Sequence, residues 1–286
     1  MRPVINRRAF VGGLVAATIA APAIASSEGP LRFGLTPVFL NNDLQLLSDL
    51  KAYLERTIGS TVRLVTRRTY QEITALLVSN QLDAAWICGY PFVQYWDQLS
   101  LVAVPVWRGK TLYQSYLIAP KGLAVSGVEN LRGDIHAFSD PNSNSGYLVT
   151  RALLAERGTD PEQFFRRTFY TYGHRNVIRA VSSKLAQSGS VDGYVLEVLR
   201  EVEPGLAAGV EVVRRSEWLG FPPVACPKQA KDTDRLRRFE NALLTMSEDE
   251  QGARVLNTLR LDGFREEQAS HFDTIAAKVD LIRKVG

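Results

Sequence analysis

Val62-Arg63-Leu64-Val65, then Tyr70 to Ser79, then Asp83-Ala84-Ala85-Trp86-Ile87-Cys88 is the stretch that decides the fold. A β-rich run is followed by a run with Ile73, Leu76 and Leu77 on one helical face, and then by a second β-rich run ended by Gly89. That is a strand–helix–strand unit. Upstream, Leu31-Arg32-Phe33-Gly34-Leu35 reads as another strand, ended by Thr36-Pro37. Asp43 to Thr57 reads as a helix, with Leu44, Leu47, Leu50 and Leu54 at spacings of three and four and Gly59 as its stop. Strands alternating with helices over short links imply a parallel α/β sheet.

Downstream the pattern changes. Leu101–Val106 and Tyr113–Ile118 are two β-rich runs separated by Arg108-Gly109-Lys110. Alternation then resumes: a strand at Ile135–Phe138, a helix over Ser145–Glu156, a strand at Thr168–Tyr172, a helix over Arg175–Ala186 and a strand at Val191–Val195. Val210–Val213 and Pro222–Cys226 read as further strands, and helices over Asp232–Met246 and Glu248–Leu259 close the chain. The expected fold is α/β, with two α/β lobes joined by two crossover strands around a central cleft. One lobe takes residues 29–110 with 215–286 and the other 111–214. Ligands of such sheets bind outside the carboxyl ends of the strands. An α/β enzyme shows the same alternation.

The first 25 residues read as an address. Arg7-Arg8 precedes an apolar or small stretch from Ala9 to Ala21, and Ala23-Ile24-Ala25 has the small-x-small form of a cleavage site. The paired arginines resemble a twin-arginine signal, and the apolar run is shorter than the roughly 20 residues that span a bilayer. A cleaved signal over 1–25 and a periplasmic mature chain are expected. Arg2, Arg7 and Arg8 carry three of the four net positive charges. A mature chain that close to neutral lacks the basic footprint of a nucleic-acid binder. Two cysteines, Cys88 and Cys226, do not make a disulfide scaffold. No Cys-x-x-Cys or His-x-x-x-His spacing occurs, so neither a metal site nor a cofactor is expected.

The sharpest local signal is Ser139-Asp140-Pro141-Asn142-Ser143-Asn144-Ser145-Gly146-Tyr147-Leu148, which follows a strand and runs into a helix. Asp140-Pro141-Asn142 is turn chemistry, and Ser143, Asn144 and Ser145 are all good N-cap residues. A helix start offers free backbone N–H groups and the positive end of its dipole, so added hydroxyls and an amide build an anion cradle without lysine or arginine. The plainer reading is that one serine caps the helix within a polar loop.

At this loop the chain resembles the phosphonate/phosphite-type periplasmic binding proteins of ABC transporters, which have a type 2 two-lobe fold and a D-P-N-S-T-S-G-Y-like loop. The likeness runs through Gly34-Leu35-Thr36-Pro37, Asp83-Ala84-Ala85-Trp86, Gly173-His174 with Ile178-x-Ala180-Val181, and Val191-Asp192-Gly193-Tyr194-Val195-Leu196-Glu197. The resemblance implies that Ser143, Asn144 and Ser145 form the oxyanion loop and that His174 is a facing donor. It makes Tyr70 and Tyr113 cleft tyrosines and puts Asp192 and Tyr194 along the inner edge. The chain departs from the pattern at Asn144, where the family usually has threonine, and at Cys88, where glycine is common. It also has Gly220-Phe221-Pro222-Pro223 where aminophosphonate binders carry an acid, which argues against a zwitterionic ligand.

The expected partners are a small anionic ligand and an ABC transporter permease, with the protein a monomer. The rival is a sensor: some relatives detect arsenic oxyanions through a cysteine and signal to a membrane histidine kinase, and Cys88 would take that part. A catalytic role finds no support, since the chain has neither a G-x-S-x-G elbow nor a G-x-x-x-x-G-K-[ST] loop. In the implied fold the return strand runs antiparallel between the third and fourth strands of the first lobe. Cys88 and Cys226 are therefore expected to be near neighbours on the cleft floor, as small buried residues, as a disulfide, or with Cys88 a thiol open to the ligand.

Overall fold

The computed structural model describes residues 29–37, 44–123, 125 and 127–285; the expected export signal lies outside them. A six-stranded sheet gathers β1 (Leu31–Leu35), β2 (Val62–Thr66), β3 (Ala84–Trp86), β4 (Leu99–Val106), β12 (Val224–Pro227) and β13 (Gly263–Arg265) in the order β13-β4-β12-β3-β1-β2. β1 runs parallel to β2 and to β3, as the alternation implied, and β12 lies antiparallel between β3 and β4. Arg32 and Asp83 pin the start of this sheet: the Arg32 backbone N–H donates to Asp83 Oδ2 at 2.7 Å and its guanidinium to Oδ1 at 2.8 Å. Gly34 is required by closeness. A Cβ there would meet Leu82 at 2.6 Å, Ala85 of β3 at 3.0 Å and Ile73 of the helix Tyr70–Val78 at 3.2 Å, so glycine lets all three lie this near β1.

A five-stranded sheet holds β6 (Ser115–Pro120), β7 (Ile135–Phe138), β8 (Arg167–Tyr170), β9 (Ser188–Asp192) and β10 (Val210–Arg215) in the order β10-β6-β9-β7-β8. The chain passes from the first sheet to the second through β5 (Leu112–Tyr113) and returns through β11 (Leu219–Gly220). These two crossings pair antiparallel with each other, Tyr113 opposite Leu219, in a two-stranded ladder. Before β5 the chain turns tightly. Arg108 and Gly109 both take left-handed φ, 50° and 74°, and Trp107 and Lys110 close the turn with two backbone bonds. The two halves are in contact, because the core around the first sheet also takes in Leu148, Val149, Ala152, Tyr194 and Val198 from the second.

Several local expectations need correction. In the helix Leu44–Ile58 the buried face is Leu46, Leu50, Tyr53, Leu54 and Ile58, whereas Leu44 is 80 % exposed. The strand read at Val191–Val195 is displaced: β9 covers Ser188–Asp192, and Gly193–Val202 is a helix capped by the Asp192 side chain. The helix expected from Ser145 begins as a wide turn over Asn144–Leu148 and becomes α-helical only at Val149–Ala155. The chain does not close with the helix Glu250–Leu259; β13 and the helix Asp273–Val285 follow, the latter burying Ile275, Val279 and Ile282 at spacings of four and three.

Candidate functional site

The candidate side chains arrive at the carboxyl ends of strands. Tyr70 opens the helix after β2, Cys88 follows β3, the loop 139–148 follows β7, His174 opens the helix after β8, and Asp192 ends β9. Tyr113 comes from the crossing strand β5. Ser143, Asn144, Ser145, His174, Tyr70, Tyr113, Asp192 and Cys88 are each at most 2 % exposed. Two sets of strand ends therefore face each other, as doubly wound sheets dictate.

The loop is shaped by its own chemistry. Asp140 Oδ1 accepts the Asn142 N–H at 2.8 Å, and Ser143 Oγ accepts the Gly146 N–H at 3.0 Å. The Leu148 N–H then donates to Ser143 O at 3.0 Å, five residues back. Such π-type turns open a helix start and recur at functional sites. Gly146 is needed here, since a Cβ would lie 1.8 Å from Ser139 Oγ. From β6, the Ser115 hydroxyl donates to Ser145 O at 2.6 Å and anchors the loop to the sheet.

Across the halves, the Asn144 N–H donates to Cys88 Sγ at 3.1 Å, and Asn144 Nδ2 donates to Tyr113 Oη at 2.8 Å. The Asp192 N–H donates to His174 Nδ1 at 3.1 Å, so that nitrogen is an acceptor and the ring proton sits on Nε2. Nε2 lies 3.3 Å from Tyr70 Oη. The tautomer makes the histidine the donor and leaves the Tyr70 hydroxyl hydrogen available to another partner. Tyr113, as acceptor from Asn144, keeps its hydrogen in the same way. Asn144 Oδ1 and Ser139 Oγ are buried without a partner.

Burial dominates the electrostatics. It drives the Cys88 thiol up to about 12 and the His174 imidazole down to about 3. It lifts Tyr70 and Tyr113 well above the usual phenol range, and carries Asp192 up to about 7 despite its helix-cap bonds. His174 is therefore neutral at physiological pH. Among the described residues, the groups whose charges act most on Tyr70, Tyr113 and Cys88 are one another, Asp140 and Asp192, rather than a lysine or arginine. What converges is a set of neutral hydrogen-bond donors beside the Asp192 carboxyl, and the donors are suited to holding an oxyanion by hydroxyl, amide and imidazole N–H. Among the described residues no three or more His, Cys, Asp or Glu gather to hold a metal ion.

Two expected members stand apart. The Tyr194 hydroxyl donates to Leu259 O at 2.5 Å and its ring packs against Trp107 and Phe221, so its side chain braces the core, while its backbone N–H donates to the Asp192 carboxylate. Cys226 is not a neighbour of Cys88. β12 pairs Val224 with Trp86 and Ala225 with Ala85, so Cys226 continues toward the start of β3 while Cys88 lies past its end. Four residues of strand at about 3.3 Å each put them roughly 13 Å apart, beyond the ~4.4–6.8 Å between Cα atoms that a disulfide needs. Both are free, buried thiols. Conversely, Asp140 does more than shape its turn: Oδ2 accepts the Tyr70 N–H at 3.2 Å, putting a carboxylate of one half on the first turn of a helix of the other. The Asp-Pro-Asn turn was legible; its partner 70 residues away was not.

The model of the family described as "ABC transporter, phosphonate, periplasmic substrate-binding protein" matches residues 33–272. The phosphonates-binding periplasmic protein of Escherichia coli (strain K12) is 23% identical over 250 residues, 83% of this chain and 72% of that protein. The structure of a binding-protein component of an ABC phosphonate transporter from Pseudomonas aeruginosa superposes with a TM-score of 0.80 at 20% identity, covering 90% of this chain and 89% of that one. A Prochlorococcus marinus protein solved in complex with methylphosphonate gives 0.80 at 15% identity, over 89% and 98% of the two chains. These likenesses bear out the type 2 periplasmic-binding fold. The chain belongs to the phosphonate-type periplasmic substrate-binding proteins of ABC transporters.

Proposed function

We propose that this protein captures a small oxyanion, a phosphonate, phosphite or phosphate-like species, in the periplasm and hands it to the permease of an ABC transporter. It works as a monomer, exported by the signal over 1–25. The lobes 29–110 with 215–286 and 111–214 close on the ligand, which Ser143, Asn144 and Ser145 hold from one side and Tyr70 and Tyr113 from the other. The observation that carries this reading is the meeting of that loop with the proton-bearing Nε2 of His174 and the Tyr70 hydroxyl, brought together from opposite halves. A thermal-shift and calorimetric screen of methylphosphonate, phosphite, phosphate, sulfate and arsenite tests it. A ligand at 100 times its Kd stabilises by about 2.7 kcal/mol, and the absence of any shift across the panel would refute it.

A second reading rests on Cys88, whose Sγ sits at the head of the loop against the Asn144 N–H. As a thiol it would bind arsenite, and the protein would signal to a membrane histidine kinase. That reading requires arsenite to stabilise the wild type and not Cys88→Ser.

A further inference from the structure

The candidate site contains acceptors as well as donors, and its acceptors have lone pairs to spare. Asp192 Oδ1 caps the helix Gly193–Val202 through the Val195 N–H at 3.3 Å. The Tyr194 N–H also donates to this carboxylate, and the contact of Oδ2 with the Ser145 hydroxyl is long, 3.5 Å, the outer limit of a hydrogen bond. Next to Ser145 in the loop, Asn144 Oδ1 is wholly buried with no partner, its Nδ2 already committed to Tyr113. A buried acceptor left short of hydrogens is destabilising, more so when it is charged.

Among the described residues no cation is seen acting on this carboxylate. The titratable groups facing it are Tyr70 from the helix after β2, Cys88 after β3, Tyr113 on β5, His174 through the Asp192 backbone, and Tyr194 on its own helix. The arginines of the surrounding helices are engaged at the surface, Arg175 on Glu203 and Arg200 on Glu197, with Arg151 beside the Tyr147 hydroxyl. A fully ionised dianion placed against Asp192 would meet like charge in a dry site, where the repulsion is poorly screened.

We propose that the site selects oxyanions that still carry a hydrogen, and that Asp192 Oδ2 accepts that hydrogen and makes the protein discriminate against sulfate and sulfonates. This deepens the oxyanion-capture reading and rests on it. The chemistry divides the candidate ligands cleanly. Phosphate-type groups have a second ionisation near neutrality, about 6 for phosphate esters, so a P–OH is available or regained at little cost. Sulfate and sulfonates lose their last proton far below neutral pH and can offer Asp192 only lone pairs. When the free ligand is a dianion and Asp192 is ionised, one proton is taken from solvent on binding and lies in the ligand O–H···Oδ2 hydrogen bond; no covalent bond changes. Burial, which already carries Asp192 up to about 7, agrees with such proton uptake. A site built to hydrogen-bond a hydroxyl rejects the analogue lacking it by up to about 10⁴-fold or more.

The test compares methylphosphonate with methanesulfonate, close in shape, by calorimetry on the full mature protein at pH 6 and pH 8.5. Buffers of different ionisation enthalpy report the proton count. The expected result is at least 100-fold weaker binding of methanesulfonate by the wild type and uptake of close to one proton with methylphosphonate at pH 8.5. Asp192→Asn, an isosteric N-cap, should narrow the ratio at least tenfold. Comparable binding of both ligands, no proton uptake, or an unchanged ratio in Asp192→Asn overturns the selection mechanism while leaving anion capture standing. Failure of both ligands and of phosphite to bind the wild type overturns the capture reading and this inference with it. The proton count needs no variant, so it holds even if Asp192→Asn folds poorly.

Discussion

Asp140→Asn is the substitution with the most to say about closure. In the folded chain both carboxylate oxygens are used: Oδ1 accepts the Asn142 N–H at 2.8 Å within its own turn, and Oδ2 accepts the Tyr70 N–H at 3.2 Å from the other half. Asparagine has one oxygen. If it keeps the turn, its NH₂ opposes the Tyr70 N–H, donor against donor. A hydrogen bond to a charged group contributes about 1.5–3 kcal/mol, and an anion at a helix start roughly another 0.3–1. Burial already penalises this carboxylate, raising its pKa, so removing the charge returns part of that. The net loss is about 1–2 kcal/mol, a factor of roughly 5–30. Because the bond joins the two halves, the loss should fall on the closed state. Calorimetry with methylphosphonate should show that factor in Kd, carried mainly by faster dissociation, while the ligand-free melting temperature moves little. An affinity unchanged within twofold would refute the idea that this contact holds the halves together. An equal loss of stability without ligand would show that Asp140 serves only its own turn.

The Ser143→Ala and Ser145→Ala variants should separate two roles. Ser143 Oγ caps the turn through the Gly146 N–H, so its loss should cost about 1 kcal/mol of ligand-free stability by denaturant titration. Ser145→Ala should leave stability nearly unchanged and cost about 1.5–3 kcal/mol of anion binding by calorimetry; equal effects in both assays would contradict the assignment. Cys88 and Cys226 should both titrate with a thiol reagent after denaturation without reductant, and Cys88, held up at about 12, should react slowly in the native protein at pH 8. Recovery of no thiol would mean a disulfide and a wrong register. His136, wholly buried between Ser188 and Ser190 at 2.8 Å each, is held down at about 3 against an unfolded value of 6.5. Between those values the unfolded chain binds a proton that the folded one refuses, so this group makes stability fall as pH drops through 6.5 toward 3, by up to about 1.4 kcal/mol per unit. His136→Gln should flatten that slope in a pH series of melting temperatures, and an unchanged slope would count against a neutral buried imidazole.

How far each feature was legible depended on the range of the interaction that fixes it. The parallel β1–β2–β3 unit was readable because periodicity and turn residues act over a few neighbours. The helix start after β7 was readable for the same reason: Ser143 needs only the Gly146 N–H three residues on. β9 was misplaced although a local cue existed, an Asp192 cap immediately before Gly193. Its true residues, Ser188-Gly189-Ser190-Val191-Asp192, carry little apolar signal because they are chosen by contact: a Cβ on Gly189 would meet Val177 at 2.6 Å, and both serines bond His136. In the helix Leu44–Ile58 the expected Leu47, Leu50 and Leu54 do pack on the core, whereas Leu44 does not, and Leu46 and Tyr53 join because they are selected by what packs on them.

The strand–helix alternation through β1, β2 and β3, the polar turn 139–148 and its likeness to a family of binders were thus readable from the sequence alone, through propensity, capping and motif. Only the tertiary structure decided that Tyr70 meets His174 across 104 residues, that Asp140 reaches the start of another half's helix, and that Tyr194 braces the core. It also separated Cys88 from Cys226, because antiparallel pairing of β12 with β3 carries their neighbours in opposite directions. Strand register and the approach of two halves are set by summed packing over the whole chain, and no local window of residues contains that sum.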